Sequence, residues 1–416
     1  MERADFFPIA RTVIDTVYPS LERLYQEFHA HPELSGLEEW TAGRLGKELE
    51  EAGCRVTGGV GGHGLVALLE NGPGPVIMVR ADMDGLPVRE ETGLPYASTV
   101  RMTDSAGREV PVMHACGHDL HMATLAGTAR TFAALKNSWR GTLMFIGQPS
   151  EETVSGSARM VADGLYARFG RPDAALSFHV APDLPAGTIG YREGIFTAGS
   201  ESLDVTVYGV GGHAAHPEQA RDPVVIAARI ILAFQAIVSR ECPPDDFAVL
   251  TVASVHGGLK HNAIPDEVDL QVNIRYFETE IRDLLLNAVK RTAEGIALSA
   301  GLSRDRMPRI TLLPESVPPL INDPVVTGSI AMAFTRSFGE KRVRRIKPLT
   351  GSEDFGLFSI ADPPIPISYF RVGCGDGRGS CGFLHSSRFA PDPVFLKDAV
   401  AALVVAAAEL LDPSSR

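Results

Sequence analysis

The chain has 416 residues, too many for one comfortable core, so two domains are expected. With 39 basic and 51 acidic residues its formal charge is −12, and no basic run or stripe is present to track phosphates, which argues against a nucleic-acid partner. Five scattered cysteines (Cys54, Cys116, Cys242, Cys374 and Cys381) do not form a disulfide framework and point to a reducing compartment.

The first residues, MERADFFPIARTVIDTVYPS, are charged at positions 2 and 3 and broken by prolines, and they lack the apolar core of a signal peptide. A first helix is predicted over VYPSLERLYQEFHAH, stopping at Pro32. A second is predicted over EEWTAGRLGKELEEAG, terminated by Gly53. Two apolar runs, GLVALLE and PVIMVRADMD, flank the turn NGPGP. A helix over LHMATLAGTARTFAALK leads to the strand GTLMFIGQPSEE, and a further helix leads to DAALSFHV. Strands alternating with helices predict a layered α/β sheet.

At about Phe196 the texture changes. An alternating strand, a glycine turn, the long apolar helix VVIAARIILAFQAIV, two more strands, a helix from Glu280 to about Ala300 and the strand RITLLPES make a βαββαβ-like unit of ferredoxin-like order. After Pro319 the pattern returns to the first domain. The expected architecture is a catalytic domain with a mixed central sheet flanked by helices (1–195 and 317–416), interrupted by a smaller α+β insert (196–316). No stretch reaches the length expected of a membrane span; the tail DAVAALVVAAAELL, with Asp398 and Glu409, reads as a buried terminal helix. A cytoplasmic location with no membrane partner is the expectation.

The chemistry starts at HACGHDLH, residues 114–121. In extended chain, residues two apart point the same way, so Cys116 and His118 can grip one metal, and a helix beginning near Asp119 would favour the thiolate. An isolated Cys-x-His is more often a small buried cysteine beside a loop histidine, and a Cys116 nucleophile is a third possibility. Glu151 and Glu152 follow an apolar strand, and ligands of open α/β sheets bind at the carboxyl ends of strands. One of the two can ligate a metal while its neighbour receives a proton from metal-bound water. His179 ends another apolar strand, and His385 lies in a loop far along the chain. Cys116, His118, Glu152, His179 and His385 together make five mixed ligands, enough for two ions with open positions, which suits hydrolysis. Asp82 and Asp84, at the end of VRADMDGLP, read either as partners that orient a ligating imidazole or as a polar turn.

These motifs occur in order along nearly the whole chain: HAHPELSGLEEWTA, RADMDGLPVREETG, MHACGHDLHMATLAG, GQPSEE, FHV, GVGGHAAHPEQARDPV, HNAIPDEV, TGSEDFG and LHSS. The sequence thereby resembles the dinuclear metallopeptidase superfamily of aminoacylase and carboxypeptidase type, and within it the amidohydrolase branch that includes hippurate hydrolase and the indole-acetyl-amino-acid hydrolases. The resemblance implies two divalent ions (Zn, Mn, Co or Ni) on Cys116, His118, Glu152, His179 and His385. It implies Glu151 as general base, Asp84 as the acid supporting the metal site, and the insert as a lid and dimerisation domain. It further implies that His213 reaches across a homodimer to stabilise the oxyanion, and that Asn262 and Arg275 hold the substrate carboxylate; higher homo-oligomers remain open. Two departures stand out: Glu218 replaces a histidine usual after GGHAA, and HSS replaces His-Asn-Pro at the last ligand. The segment ASTVRMTDSAGREVPVMHACG also reads as longer than usual and as an extra loop by the site.

The function expected is metal-dependent hydrolysis of N-acyl amino acids or similar small amides. Carboxypeptidase-like cleavage of small peptides, a non-enzymatic binding protein retaining the fold, and a cysteine hydrolase are the alternatives.

Overall fold

The apolar residues Ile14, Leu21, Leu24, Tyr25 and Phe28 recur on one helical face and are all buried. They make Arg3–Ala30 one continuous helix, longer than the predicted element, which began only near Val17. Pro8 and Pro19 lie inside it. Each proline in a helix interior costs about 3 kcal/mol, whereas burying each large apolar side chain returns about 1.5–3 kcal/mol, so the buried stripe carries the helix through both. The computed structural model describes residues 3–376 and 380–412. It divides into two units, Met1–Phe196 with Ile321–Pro348 and Asp354–Arg416, and Thr197–Leu320 with Leu349–Glu353.

The first unit is built on an eight-stranded mixed sheet. Its order is Arg55–Val60, Gly64–Asn71, Gly141–Gln148, Val76–Asp82, Ala174–Pro185, Ile367–Gly375, Ile189–Tyr191 and Val343–Arg345. The four central strands from Gly141–Gln148 to Ile367–Gly375 run parallel, and the Gly64–Asn71 strand is antiparallel. Parallel strands covered on both faces read as unbroken apolar runs, as VIMV and LMFI do here. Helices His118–Ala134 and Phe395–Leu411 pack on this sheet and on the first helix, and the terminal helix is buried along nearly its whole length, as its sequence predicts. Parallel pairing brings the carboxyl ends of neighbouring strands to one edge of the sheet, and Asp82 and Gln148 terminate two of them in register.

The second unit is a four-stranded antiparallel sheet in the order Ala248–His256, Glu267–Tyr276, Gly199–Tyr208, Arg309–Leu312. Helices Pro223–Arg240 and Thr279–Ser299 cover it, burying Ile226, Ile230, Phe234, Leu285 and Val289 against Leu203, Val205, Leu270 and Val272. This is the ferredoxin-like order expected from sequence. One expectation is corrected: Pro223–Arg240, at 18 residues, is long and apolar enough to cross a membrane by length and composition. Its apolarity on the inner face is accounted for by the sheet it covers, and a third of the helix is buried there.

Candidate metal centre

Cys116 and His118 are brought together by a different device from the extended chain the sequence suggests. Gly117 has a φ of 85°, in the left-handed region, and the helix begins directly at His118. A Cβ at Gly117 would lie 2.6 Å from Val180 Cγ1, so glycine is required there both by conformation and by space. The kink places one ligand atom each of Cys116, His118 and His179 within 4.8 Å of one another. Cys116 Sγ is 3.4 Å from His179 Nε2. The same spacing joins Cys116, Glu152 and His385, and also His118, Glu151 and Glu152. All five expected ligands and Glu151 therefore form one interlocked group, with Cys116 common to two clusters.

His179 does not end its strand: Ala174–Pro185 continues past it. Its pairing with the Asp82 strand stops at Ser177, however, so His179 stands two residues past the last paired position, level with Asp82. Its Nδ1 donates to Val180 O at 2.7 Å, which leaves Nε2 facing Cys116. Burial, followed by His121, pushes its pKa well down, which keeps it a neutral imidazole.

Glu151 and Glu152 sit on a strained turn. Ser150 and Val154 on either side have φ of 56° and 46°, values costly for non-glycine residues and typical of functional sites. Asp84 holds this turn. Its Oδ1 accepts the backbone N–H of Glu151 at 3.1 Å, and its Oδ2 accepts that of Glu152 at 2.9 Å and the Ser35 hydroxyl at 2.6 Å. Asp84 Oδ1 also lies 3.3 Å from His118 Nδ1. Glu38 adds a second brace by accepting the Ser150 N–H at 2.7 Å. His385, with φ of 63°, has its Nε2 3.6 Å from Glu152 Oε1.

The electrostatics call for a cation. His118 Nε2 faces Asp82, Glu151 and Glu152 oxygens at 3.7–3.9 Å. Burial opposes its protonation, yet Asp82 and Asp84 raise it to about 10. Burial raises Glu152 to about 7, and Asp84 adds to the effect against the opposing His118. His118 Nε2 and Glu152 Oε1 are buried without a hydrogen-bond partner, an arrangement that costs about 1–3 kcal/mol per group unless a bound ion satisfies them. Thiol, imidazole and carboxylate donors at these spacings fit divalent metal ions. Burial and the neighbouring Glu152 and Glu151 push the Cys116 thiol well up, the reverse of what a cysteine nucleophile needs.

Asp82 and His121 take a supporting place. Val180 N–H donates to His121 Nε2 at 3.0 Å, so His121 Nδ1 carries the proton and donates to Asp82 Oδ1 at 2.6 Å. With both nitrogens committed, His121 has no lone pair for a metal even though it lies beside His118. Burial opposes it, but His118, Arg80 and His121 hold Asp82 well below the usual carboxylate range.

Sequence reasoning assigned no role to Arg80, Gln148 or Asp354. Arg80 is fully buried, donating to Gln148 Oε1 at 2.8 Å, Asp82 Oδ2 at 2.7 Å and Asp354 Oδ1 at 3.2 Å, and Gln148 and Ser157 also bond Asp354. A charge inside the apolar run VIMVRAD was the available signal. The HSS departure ties a loop: Ser387 O accepts the Glu91 N–H at 2.7 Å, and the Ser387 hydroxyl donates to Glu91 at 3.1 Å. The long segment before His114 forms a small hairpin, Arg101–Thr103 with Glu109–Pro111.

His213, Asn262 and Arg275 belong to the second unit. His213 is exposed on a two-residue strand paired with Ala263–Ile264, its Nδ1 accepting the Ala215 N–H at 3.0 Å. Asn262 O accepts the Ala214 N–H, which sets these two segments side by side. Arg275 donates to Asn273 and to Ser352, each at 2.8 Å. Glu218 stands 3.4 Å from His216 Nδ1.

Buried carboxylates, a thiol and imidazoles gathered at the strand ends of a mixed α/β sheet define a metal-dependent hydrolase. Residues 78–409 match the profile of Peptidase family M20/M25/M40, and the chain belongs to that family. N-acetyl-L-cysteine deacetylase from Bacillus subtilis is 33% identical over 346 residues, 83% of this chain and 79% of its own length. Hippurate hydrolase from Campylobacter jejuni is 33% identical over 341 residues, 81% of this chain and 84% of its own. A dinuclear metal-binding peptidase of the M20 family from Bacillus subtilis shares the fold at a TM-score of 0.79 and 29% identity, covering 96% of this chain and 99% of that one. Within its family the protein is a metal-dependent amidohydrolase.

Proposed function

We propose that this enzyme hydrolyses the amide of N-acyl amino acids, releasing a carboxylic acid and an amine. The observation that carries the reading is the interlocked group in which Cys116 belongs to two three-ligand clusters. In this reading Cys116, His118, Glu152, His179 and His385 hold two divalent ions. When bound, such ions polarise the amide carbonyl and lower the pKa of water. The thiol ligand favours zinc, while the imidazoles and carboxylate also accept manganese, cobalt or nickel.

Glu151 takes a proton from the attacking water and delivers it to the departing nitrogen as the C–N bond breaks. Asp84 positions Glu151 through its backbone N–H and so fixes the direction in which the carboxylate points. His213 stabilises the oxyanion, and Asn262 and Arg275 hold the substrate carboxylate, a task that suits the planar guanidinium. The relatives that act on N-acetylcysteine and hippurate support a substrate with an acyl group on an amino acid.

The second unit serves as lid and homodimer contact in this reading. Its support is an exposed apolar row on the helix Pro223–Arg240, with Val225 at 55% and Leu232 at 73% exposure, beside the edge strand Ala248–His256. Open edges of this kind are ready to pair with a second copy.

The test is a screen of N-acetyl, N-benzoyl and indole-acetyl amino acids against chelator-treated protein reloaded with zinc, manganese, cobalt or nickel. Loss of hydrolysis on chelation and recovery on reloading are expected. Hydrolysis that survives complete metal removal would overturn the reading.

A further inference from the structure

The segment carrying His385 is fastened at its two ends as well as through Ser387 to Glu91. His385 N–H donates to Ala115 O at 2.8 Å, and Ala390 N–H donates to Cys381 O at 2.7 Å. Cys381 is thus the residue on which the base of this loop closes. Its Sγ lies 3.9 Å from Sγ of Cys374, the penultimate residue of the strand Ile367–Gly375. That strand pairs in parallel with the one bearing His179, Arg371 lying opposite it. Among the described residues no other two cysteines touch.

The pair has the features of a site where a bond can form and break. Cys374 is buried and Cys381 is half-buried, so one sulfur is reachable and the other shielded behind it. The sulfurs need to approach by roughly 2 Å to reach a disulfide length of about 2.05 Å. Six residues separate the two cysteines in the chain. Neither cysteine belongs to the candidate metal group, so their contact is unexplained by the proposed catalysis.

We propose that Cys374 and Cys381 are a reversible dithiol–disulfide pair, oxidised by a low-molecular-weight disulfide such as oxidised glutathione, whose closure ties the His385 loop to the adjoining strand. The Cys381 thiolate attacks one sulfur of the oxidant, forming a mixed disulfide and releasing one small thiolate, which takes up a proton. The Cys374 thiolate then attacks the Cys381 sulfur and expels the second small thiol. Two protein thiols lose their protons and are oxidised to one disulfide; one oxidant molecule is reduced to two thiols. Burial raises both protein thiols, so the thiolate is scarce at neutrality and the exchange runs over minutes to hours.

The experiment uses the full chain and does not depend on the metal assignment. Protein is incubated with oxidised glutathione at mildly alkaline pH, free thiols are alkylated, and the product is digested with trypsin. Cleavage after Arg371, Arg378 and Arg388 puts Cys374 and Cys381 in separate peptides, 372–378 and 379–388. The expected result is a species two hydrogens lighter than the two peptides together, abolished by dithiothreitol and absent from Cys381→Ser. Cys374→Ser should instead stop at a glutathione adduct on Cys381. Amide exchange at Ala390 should slow by about threefold or more in the oxidised protein, because opening of the loop base is restrained. Alkylation of both thiols, or glutathione adducts without the cross-link, overturns the pair; a cross-link with unchanged Ala390 exchange overturns the tie to the loop.

Discussion

Asp84 accepts the backbone N–H of Glu152 at 2.9 Å with one carboxylate oxygen and that of Glu151 at 3.1 Å with the other. A single buried side chain therefore sets the turn from which both glutamates project. Both oxygens are acceptors, and only a carboxylate offers two. In Asp84→Asn one of these amides must face an NH2 group, so the turn loses a hydrogen bond and gains a donor–donor contact. Supporting residues of this kind are worth about 10–100-fold in metal affinity or activity. The expected outcome is a fall in kcat of that size, together with weaker metal retention by titration calorimetry. Unchanged values of both would show that the turn holds itself.

Glu151→Gln separates proton transfer from metal holding. The amide keeps the size of the side chain but cannot accept a proton from water. A loss of about 10²–10⁴-fold in kcat is expected, with metal content per subunit equal to that of the parent by elemental analysis. Metal loss in step with activity would instead make Glu151 a ligand, which its place beside His118 and Glu152 also permits geometrically.

How much of this was legible beforehand depends on separation along the chain. Glu151, Glu152 and His179 announce themselves because each follows or ends an apolar run, and parallel strands deliver such ends to one edge, whereas Cys116 is legible from its spacing to His118. Gly117 was readable only as a spacer; that it bends the backbone so that Cys116 and His118 converge depends on Val180, 63 positions further on. The Arg80–Asp354 pair spans 274 positions, and nothing in the local pattern of either residue names the other. The first helix runs back to Arg3, beyond the predicted start, because Ala10 and Ile14 continue the buried stripe on its inner face.

His121 acts through the backbone. Its Nε2 accepts the Val180 N–H, and the carbonyl of that same residue receives the proton of His179 Nδ1. Replacing His121 by alanine leaves the Val180 N–H without its acceptor and removes the ring packed 4.6 Å from that of His179. Cobalt absorption should shift as the His179 imidazole tilts, and metal should bind about 10–100-fold more weakly. His121→Gln, which retains an acceptor, should recover part of the affinity. Equal cobalt spectra in the alanine variant would remove His121 from the positioning chain.

His29 gives the fold a pH dependence that can be read without substrate. It is buried, with Nδ1 2.7 Å from Asp119 and Nε2 3.0 Å from Glu90. Burial lowers its pKa, but hydrogen bonds to Asp119 and Glu90 raise it on balance from 6.5 to about 9. A cation favoured in the folded state contributes its full stability below the unfolded value, near 6.5, and loses it as pH rises through about 9. The contribution is on the order of 3 kcal/mol. In urea titrations the parent should lose about that much between pH 6.5 and pH 10 from this group, whereas His29→Gln should lack that part of the decline. The variant should also be less stable at pH 7 by about 3–5 kcal/mol, since Asp119 and Glu90 are left facing no positive charge. Parallel pH curves for the two proteins would mean that His29 is neutral in the folded state.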